Sequence, residues 1–228
     1  MTLKSVMKSS PNIRWLVLDA MGVIFKVGND VDDLLIPFLR RIDPAVSARK
    51  VNRLYDLASV GKMTSRQFWE RLGFGVLYPI IEKSHLDANL TLDPGLKKIL
   101  PRLKRRFSLA MLSNDIAEWS RYLRAKHGLD RHLKTAIVSG DVRCGKPDPR
   151  IFRVLLKRIR AKADECVFVD DKAKNLRQAR RMGFKTVQFL RNDPREVYDR
   201  GADGHIRSFK ELPLVLEKLK WPYGIASD

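Results

Sequence analysis

The sequence predicts an α/β fold: a parallel β-sheet covered on both faces by helices, with a helical segment inserted after the first strand. Three observations carry this. Short apolar runs recur along the chain at 13–18, 107–112, 135–138, 166–169 and 185–190, and several of them end in a polar residue. Amphipathic stretches at helical spacing lie between the later runs, at about 95–106, 116–127, 149–161 and 172–183. Strands alternating with helices of that length imply βαβ units. Residues from about 30 to 90 break the alternation with apolar positions at helical spacing and no strand pattern.

The elements follow in order. The first run, Ile13 to Leu18, stops at Asp19 and reads as a buried strand. In the insertion, Val31, Leu34, Leu35, Phe38 and Leu39 recur at helical spacing, as do Val51, Leu54, Tyr55, Leu57 and Ala58, then Phe68, Trp69 and Leu72. The chain re-enters the α/β part near Asp93-Pro94-Gly95. The second run ends in Ser113-Asn114, and the fourth in Asp170-Asp171. Near-continuous apolar strands fit a sheet buried on both faces. The expected division is therefore 1–28 with 92–228 as one α/β unit, and 29–91 as a helical one.

Charge supports the same boundary. The 228 residues hold 45 Lys and Arg against 26 Asp and Glu, a net charge of +19. Residues 27–96 are balanced, with nine of each sign, whereas 97–191 carry 26 basic and nine acidic side chains. Such a stretch attracts anions: phosphate esters, nucleic acid or another polyanion, or an anionic membrane surface, of which the membrane is not expected as a partner. No apolar run approaches the roughly 18 residues of a membrane span, and the opening ten residues lack the apolar core of a secretory signal. With two cysteines, Cys144 and Cys166, a disulfide scaffold is excluded and a reduced, cytoplasmic setting is expected.

In open parallel sheets, ligands bind beyond the carboxyl ends of the strands. Asp19, Ser113, Asn114, Asp170 and Asp171 all fall there, and Lys146 lies in the loop after the third run. One by one these are ordinary turn and cap residues. Together they bring carboxylates, a hydroxyl and an ammonium to one edge. Clustered carboxylates repel unless a cation joins them, and an oxygen-rich site suits Mg²⁺. A metal beside Asp19 would neutralise an incoming phosphate and leave Asp19 as an in-line nucleophile. Ser113, backbone N–H groups and Lys146 would hold the phosphoryl oxygens.

These segments resemble the four motifs of the haloacid dehalogenase superfamily. The first is Asp19-Ala20-Met21-Gly22-Val23, the second Ser113-Asn114, the third Lys146-Pro147-Asp148-Pro149, and the fourth Asp170-Asp171 with Asn175 downstream. The resemblance covers about 13–220. It implies a Rossmann-like core with residues 29–91 as an α-helical cap. A closing strand and helix would follow from Ala202 to Leu212. Asp19 would form an aspartyl-phosphate. Ser113, Asn114 and Lys146 would contact the phosphoryl group. Asp19, the Met21 carbonyl, Asp170 and Asp171 would hold Mg²⁺, with Asp171 the direct ligand. Asn114 and Asn175 would chiefly order their loops.

One position departs from the pattern. The family's phosphatases carry a second Asp, their general acid, two residues after the nucleophile; here it is Met21, which transfers no proton. The expected function is a Mg²⁺-dependent phosphatase of a small phosphorylated metabolite. The alternatives are a non-catalytic protein binding metal and anions in the same groove, and a 2-haloacid dehalogenase, against which the intact Asp170-Asp171 pair argues. Trp119 and Tyr122 among Arg121 and Arg124 are a faint nucleic-acid pattern, read as packing. Cys144 is expected to be an inert thiol, and Trp15 and Trp69 core residues. His85, His127, His132 and His205 are expected at the surface or in caps. Lys26, Asn29, Asp30 and Arg66 are the candidates to face the cleft from the helical segment.

Overall fold

The computed structural model describes residues 12–220. Residues 1–11 and 221–228 lie outside it, and with them the opening segment read for a secretory signal and the outer limits of the 1–28 and 92–228 division. One sheet holds six parallel strands in the order β3-β2-β1-β4-β5-β6. They are β1 (Trp15–Leu18), β2 (Ser108–Ser113), β3 (Thr135–Val138), β4 (Cys166–Asp170), β5 (Lys185–Phe189) and β6 (Gly204–Ile206). All five expected strands are present, and the closing strand is β6. β1 lies at the centre, where the strand order turns outward in both directions, as in a Rossmann-like sheet.

Strand periodicity divides the core in two. Leu16, Leu18, Leu109, Met111, Val167 and Val169 belong to one apolar cluster, and Val17, Ala110, Leu112 and Phe168 to the other. The first face is covered by α5 (Pro94–Arg106), α6 (Ala117–Lys126) and α10 (Leu212–Lys220), and the second by α8 (Pro149–Ile159) and α9 (Ala173–Arg181). Two helices start at Asp-Pro pairs. Asp93 and Asp148 accept from the amides of Gly95 and Arg150 at 2.7 and 2.8 Å, with Pro94 and Pro149 at the first helical position.

Between β1 and α5 the chain is helical, as expected. A π-helical turn (Val31–Leu35) runs into α1 (Ile36–Ile42), followed by α2 (Ala48–Ser59), α3 (Ser65–Leu72) and α4 (Ile80–Asn89). Thr64 and Gln67 close α3 with a capping box. The apolar faces of these helices, including Leu39, Leu54, Phe68 and Leu86, join the first cluster rather than forming a separate core. The short α7 (Ser139–Val142) follows β3 directly.

A buried carboxylate fastens this packing. Glu82 of α4 accepts from the indole N–H of Trp69 in α3 at 2.8 Å and of Trp119 in α6 at 2.7 Å, both on Oε2. Burial pushes the Glu82 carboxyl up, and the two indole donors oppose that. Trp69 is thus a core residue with a polar duty. Glu82→Leu leaves two buried donors unpaired and is expected to cost about 2–4 kcal/mol in urea unfolding. Glu82→Gln, which keeps an acceptor, is expected to cost less than half as much. Equal losses would show that the shape of the side chain matters and its oxygens do not.

His85 corrects an expectation. It is fully buried between Phe38 and Trp119 (ring centroids 5.3 and 5.6 Å), and burial lowers its pKa to about 4. It belongs to the core, not to the surface or a cap.

Candidate active site

The sheet register assembles the site. Leu18 pairs with Met111 on one side and Val169 on the other. The next amide, that of Asp19, donates to the Val169 carbonyl at 2.9 Å, so Asp19 and Asp170 leave the sheet side by side. Lys146 reaches between them. Its Nζ lies 2.6 Å from Asp19 Oδ1 and 2.8 Å from Asp170 Oδ2, and its side chain is only 1% exposed. The Ala20 amide donates to Asp19 Oδ1 at 2.6 Å.

Charge is unbalanced here. Burial pushes the Asp19 carboxyl well up, and Asp170 and Asp171 add to this against the pull of Lys146. Burial pushes Asp171 up to about 6, with Asp170 adding to the effect. Burial alone would lower Lys146, but its two carboxylate partners outweigh that and hold it charged. Three carboxylates therefore surround one buried ammonium, with Lys172 contributing from the rim at 3.1 Å from Asp171 Oδ2.

The two neighbouring acids differ in how their oxygens are used. Asp170 is saturated: it accepts from Lys146, from the Lys172 amide at 2.7 Å, and from the Asn175 amide group at 3.0 and 3.1 Å. Asp171 Oδ1 is buried without a partner. Oxygens of Asp19, Asp170 and Asp171 come within 4.8 Å of one another. Gly22 and Gly28 make room for Asp171, since a Cβ on either would stand 2.5 or 2.2 Å from its carboxylate; Gly22 is also left-handed, at φ +79°. An orphaned carboxylate oxygen in a cluster short of positive charge fits a hard divalent cation.

The remaining expected residues divide. Ser113 is 1% exposed, and its Oγ has no partner, so a hydroxyl stands ready at the end of β2. Asn114 departs from the expected phosphoryl contact through its side chain. Its amide is committed to the Lys146 backbone, donating to O at 2.8 Å and accepting from N at 2.7 Å. It fixes the loop that delivers Lys146. Asn175 orders the fourth motif, as expected.

A cavity of about 260 Å³ opens on this edge, lined by Asp19 and Met21 and by Asn29, Asp30, Tyr55 and Ser59 from the helical segment. A neighbouring cavity of about 350 Å³ shares Gly28, Asn29, Asp171, Lys172 and Lys174 with it and adds Arg177 and Arg195. Of the residues expected to face the cleft, Asn29 and Asp30 do. Lys26 and Arg66 do not line it; Arg66 lies over the Tyr78 ring at 4.9 Å. Cys144 is buried and its thiol is pushed up by that burial, the opposite of activation.

Several residues of the site carry no sequence signal. Arg191 donates to the Gly22 and Val23 carbonyls at 2.7 and 2.8 Å and to Asp93 at 2.6 Å, locking the turn after Asp19 against the start of α5. Gln188 donates to the Asp171 carbonyl at 3.2 Å. The buried Asp115 accepts from its neighbour's amide (Ile116) at 2.7 Å and from the Tyr55 hydroxyl at 3.4 Å. Only Asp115 could have been suspected, from its place directly after Ser113-Asn114.

A strand-end carboxylate joined to a buried lysine and flanked by two further acids, on a parallel sheet with a helical insertion, defines a class of α/β proteins. The model of the haloacid dehalogenase-like hydrolases matches residues 13–183, and the chain belongs to that family. It is 35% identical over 126 residues to a phosphoserine phosphatase of Thermus thermophilus, covering 54% of this chain and 51% of that one. It is 31% identical over 132 residues to a glyceraldehyde 3-phosphate phosphatase of Pyrococcus furiosus (55% and 54%), and 30% over 131 residues to (S)-2-haloacid dehalogenase 4A of Burkholderia cepacia (57% and 57%). The chain thus spans about half the length of the curated relatives it matches. Among solved structures, a phosphatase of the family from Thermococcus onnurineus superposes with a TM-score of 0.71 at 21% identity, covering 90% of this chain and 98% of that one. A magnesium complex of a Bacteroides thetaiotaomicron family member gives 0.69 at 16% identity, covering 81% and 96%. Likeness at these identities concerns the fold. Among the described residues, no helix is long and apolar enough to cross a membrane.

Proposed function

We propose that this chain is a Mg²⁺-dependent phosphomonoester hydrolase that works through an aspartyl-phosphate on Asp19 and acts on a small phosphorylated metabolite. The observation that carries the reading is the orphaned, buried Asp171 Oδ1 beside Asp19, in a cluster whose carboxylates outnumber its one buried ammonium. Asp171, with Asp19 and the Met21 carbonyl, would hold the ion, while Asp170 serves chiefly to seat Lys146. The ion supplies positive charge that offsets repulsion between Asp19 and an incoming phosphate. Asp19 Oδ attacks phosphorus in line with the leaving oxygen. Lys146 and the Ser113 hydroxyl hold the non-bridging oxygens where charge gathers. Water then attacks phosphorus, and the P–O bond to Asp19 breaks.

Residues 29–91 act in this reading as a cap on a core of 1–28 and 92–228. Support comes from Asn29, Asp30 and Tyr55, which line the same cavity as Asp19. They would select the leaving group.

The test is hydrolysis of p-nitrophenyl phosphate, expected with Mg²⁺ and absent with EDTA. Mg²⁺ is also expected to raise Tm, because it binds the native site alone. Asp171→Asn is expected to remove that rise. A rise undiminished in Asp171→Asn would place the ion elsewhere. Met21 favours a second reading, haloacid hydrolysis, in which no acid is needed at that position. Metal-independent chloride release from a 2-chloro acid, without phosphatase activity, would establish it.

A further inference from the structure

The position that gives phosphatases of this family their general acid is Met21, and its thioether has no proton to give. An alkoxide leaving group needs one, and the water that later attacks the aspartyl-phosphate must lose one. The groups lining the cavity narrow the source. Lys146 is held by two carboxylates, and Lys172 by Asp171. The Tyr55 hydroxyl proton is directed at Asp115. Asp56 on α2 and Lys174 on α9 line the cavity too, but both are exposed to solvent. Asp30 remains. It is 7% exposed, stands at the start of the π-helical turn, and makes no capping bond with its side chain. It lines the same cavity as Asp19 and Met21.

We propose that Asp30 replaces the missing acid: it protonates the leaving oxygen and then takes the proton of the attacking water. This rests on the phosphatase reading. In the first half-reaction the bond from phosphorus to the leaving oxygen breaks as the bond to Asp19 forms, and the Asp30 carboxyl proton passes to that oxygen, releasing a neutral alcohol. In the second, water adds to phosphorus and gives its proton to the Asp30 carboxylate. The bond to Asp19 breaks, and phosphate leaves with both residues restored.

The surroundings suit a carboxyl that cycles between the two forms. Burial raises Asp30 to about 6, close to working pH, where general acids and bases are most effective. The charged and titratable groups facing it come from every neighbouring element. Asp33 lies on its own turn, Tyr55 on α2, Asp115 in the loop after β2, and Lys172 just before α9. Lys172 is the one cation among them, and Asp33 and Asp115 oppose it. Asp115 is itself pushed well up, by burial first and by Asp30 second. A charge on Asp30 therefore disfavours ionisation of Asp115.

The experiment compares two aryl esters of similar shape in single turnovers with Mg²⁺. p-Nitrophenolate departs without a proton, whereas phenolate benefits from one. Asp30→Asn is expected to keep the burst of p-nitrophenol while slowing phenyl phosphate about 10²-fold or more. Steady-state turnover of both should fall, because the second half-reaction loses its base. Met21→Asp added to Asp30→Asn is expected to restore phenyl phosphate cleavage. The p-nitrophenol burst doubles as proof of folding, and Asp30→Ser, a helix-capping residue without an acid, provides the same comparison if the Asn variant is unstable. Equal effects on the two burst rates in either variant, or none, would overturn the assignment of Asp30 and leave the phosphatase reading standing. No release of p-nitrophenol by the unmodified protein with Mg²⁺ would overturn both.

Discussion

Asp19→Asn is expected to abolish hydrolysis of p-nitrophenyl phosphate, with a loss on the order of 10⁴-fold or more, as for removal of other covalent nucleophiles. An amide oxygen does not form the acyl phosphate. The same change is expected to leave the metal-free protein at least as stable at pH 8. The Asp19 carboxyl is held well above its ordinary value by burial and by Asp170 and Asp171, so its ionised form weakens the fold at that pH. Lys146 keeps Asp170 as a partner. Activity and stability should therefore move apart, measured as product release with Mg²⁺ and Tm in EDTA. Activity retained in the variant would sink the nucleophile assignment. A large fall in Tm would show instead that Asp19 holds the fold together.

The second large effect is expected from Lys146→Met. It leaves Asp19, Asp170 and Asp171 without their buried cation, and removing one partner of a buried ion pair costs about 3–5 kcal/mol. Phosphoryl transfer should fall about 10²–10³-fold from the loss of a charge on the transferring oxygens. The stability loss has a pH signature. Without Lys146 the Asp19 carboxyl, already raised by burial, loses the cation that pulls it down and moves further above its unfolded value. A group with a raised folded pKa keeps its stability below the unfolded pKa and loses it as pH rises through the folded one. The Tm deficit should therefore be larger at pH 8 than at pH 5. A deficit independent of pH would mean that lost packing, not charge, is responsible.

Much of this was legible in the sequence. All five apolar runs became strands, because a sheet covered on both faces needs near-continuous apolar segments. The helical insertion showed itself as a change of period. Asp19, Ser113, Lys146, Asp170 and Asp171 could be gathered at one edge from the rule that parallel strands deliver their carboxyl ends together. The motif around Lys146 was legible as an active-site lysine, while the Asp148 cap that starts α8 emerged only in the structure.

What the sequence left open depends on partners distant in the chain. Asn114 and Lys146 lie 32 residues apart, Tyr55 and Asp115 60, and Arg191 and Gly22 169. No local pattern encodes such pairs. The family resemblance singled out Asp171 as the direct ligand, but the residues themselves gave no reason, because Asp170 and Asp171 differ only in what the folded chain brings to them. The same holds for Asp30 and His85. Each is an ordinary polar residue in sequence, and only burial gives one its raised carboxyl and the other its place in the core. The sequence by itself determined the sheet, the inserted helices and the list of chemical groups, since these follow from periodicity and strand ends. Tertiary structure alone decided which of those groups are paired, which are orphaned and which are charged, since hydrogen-bond saturation and desolvation are properties of an assembled environment and not of a residue.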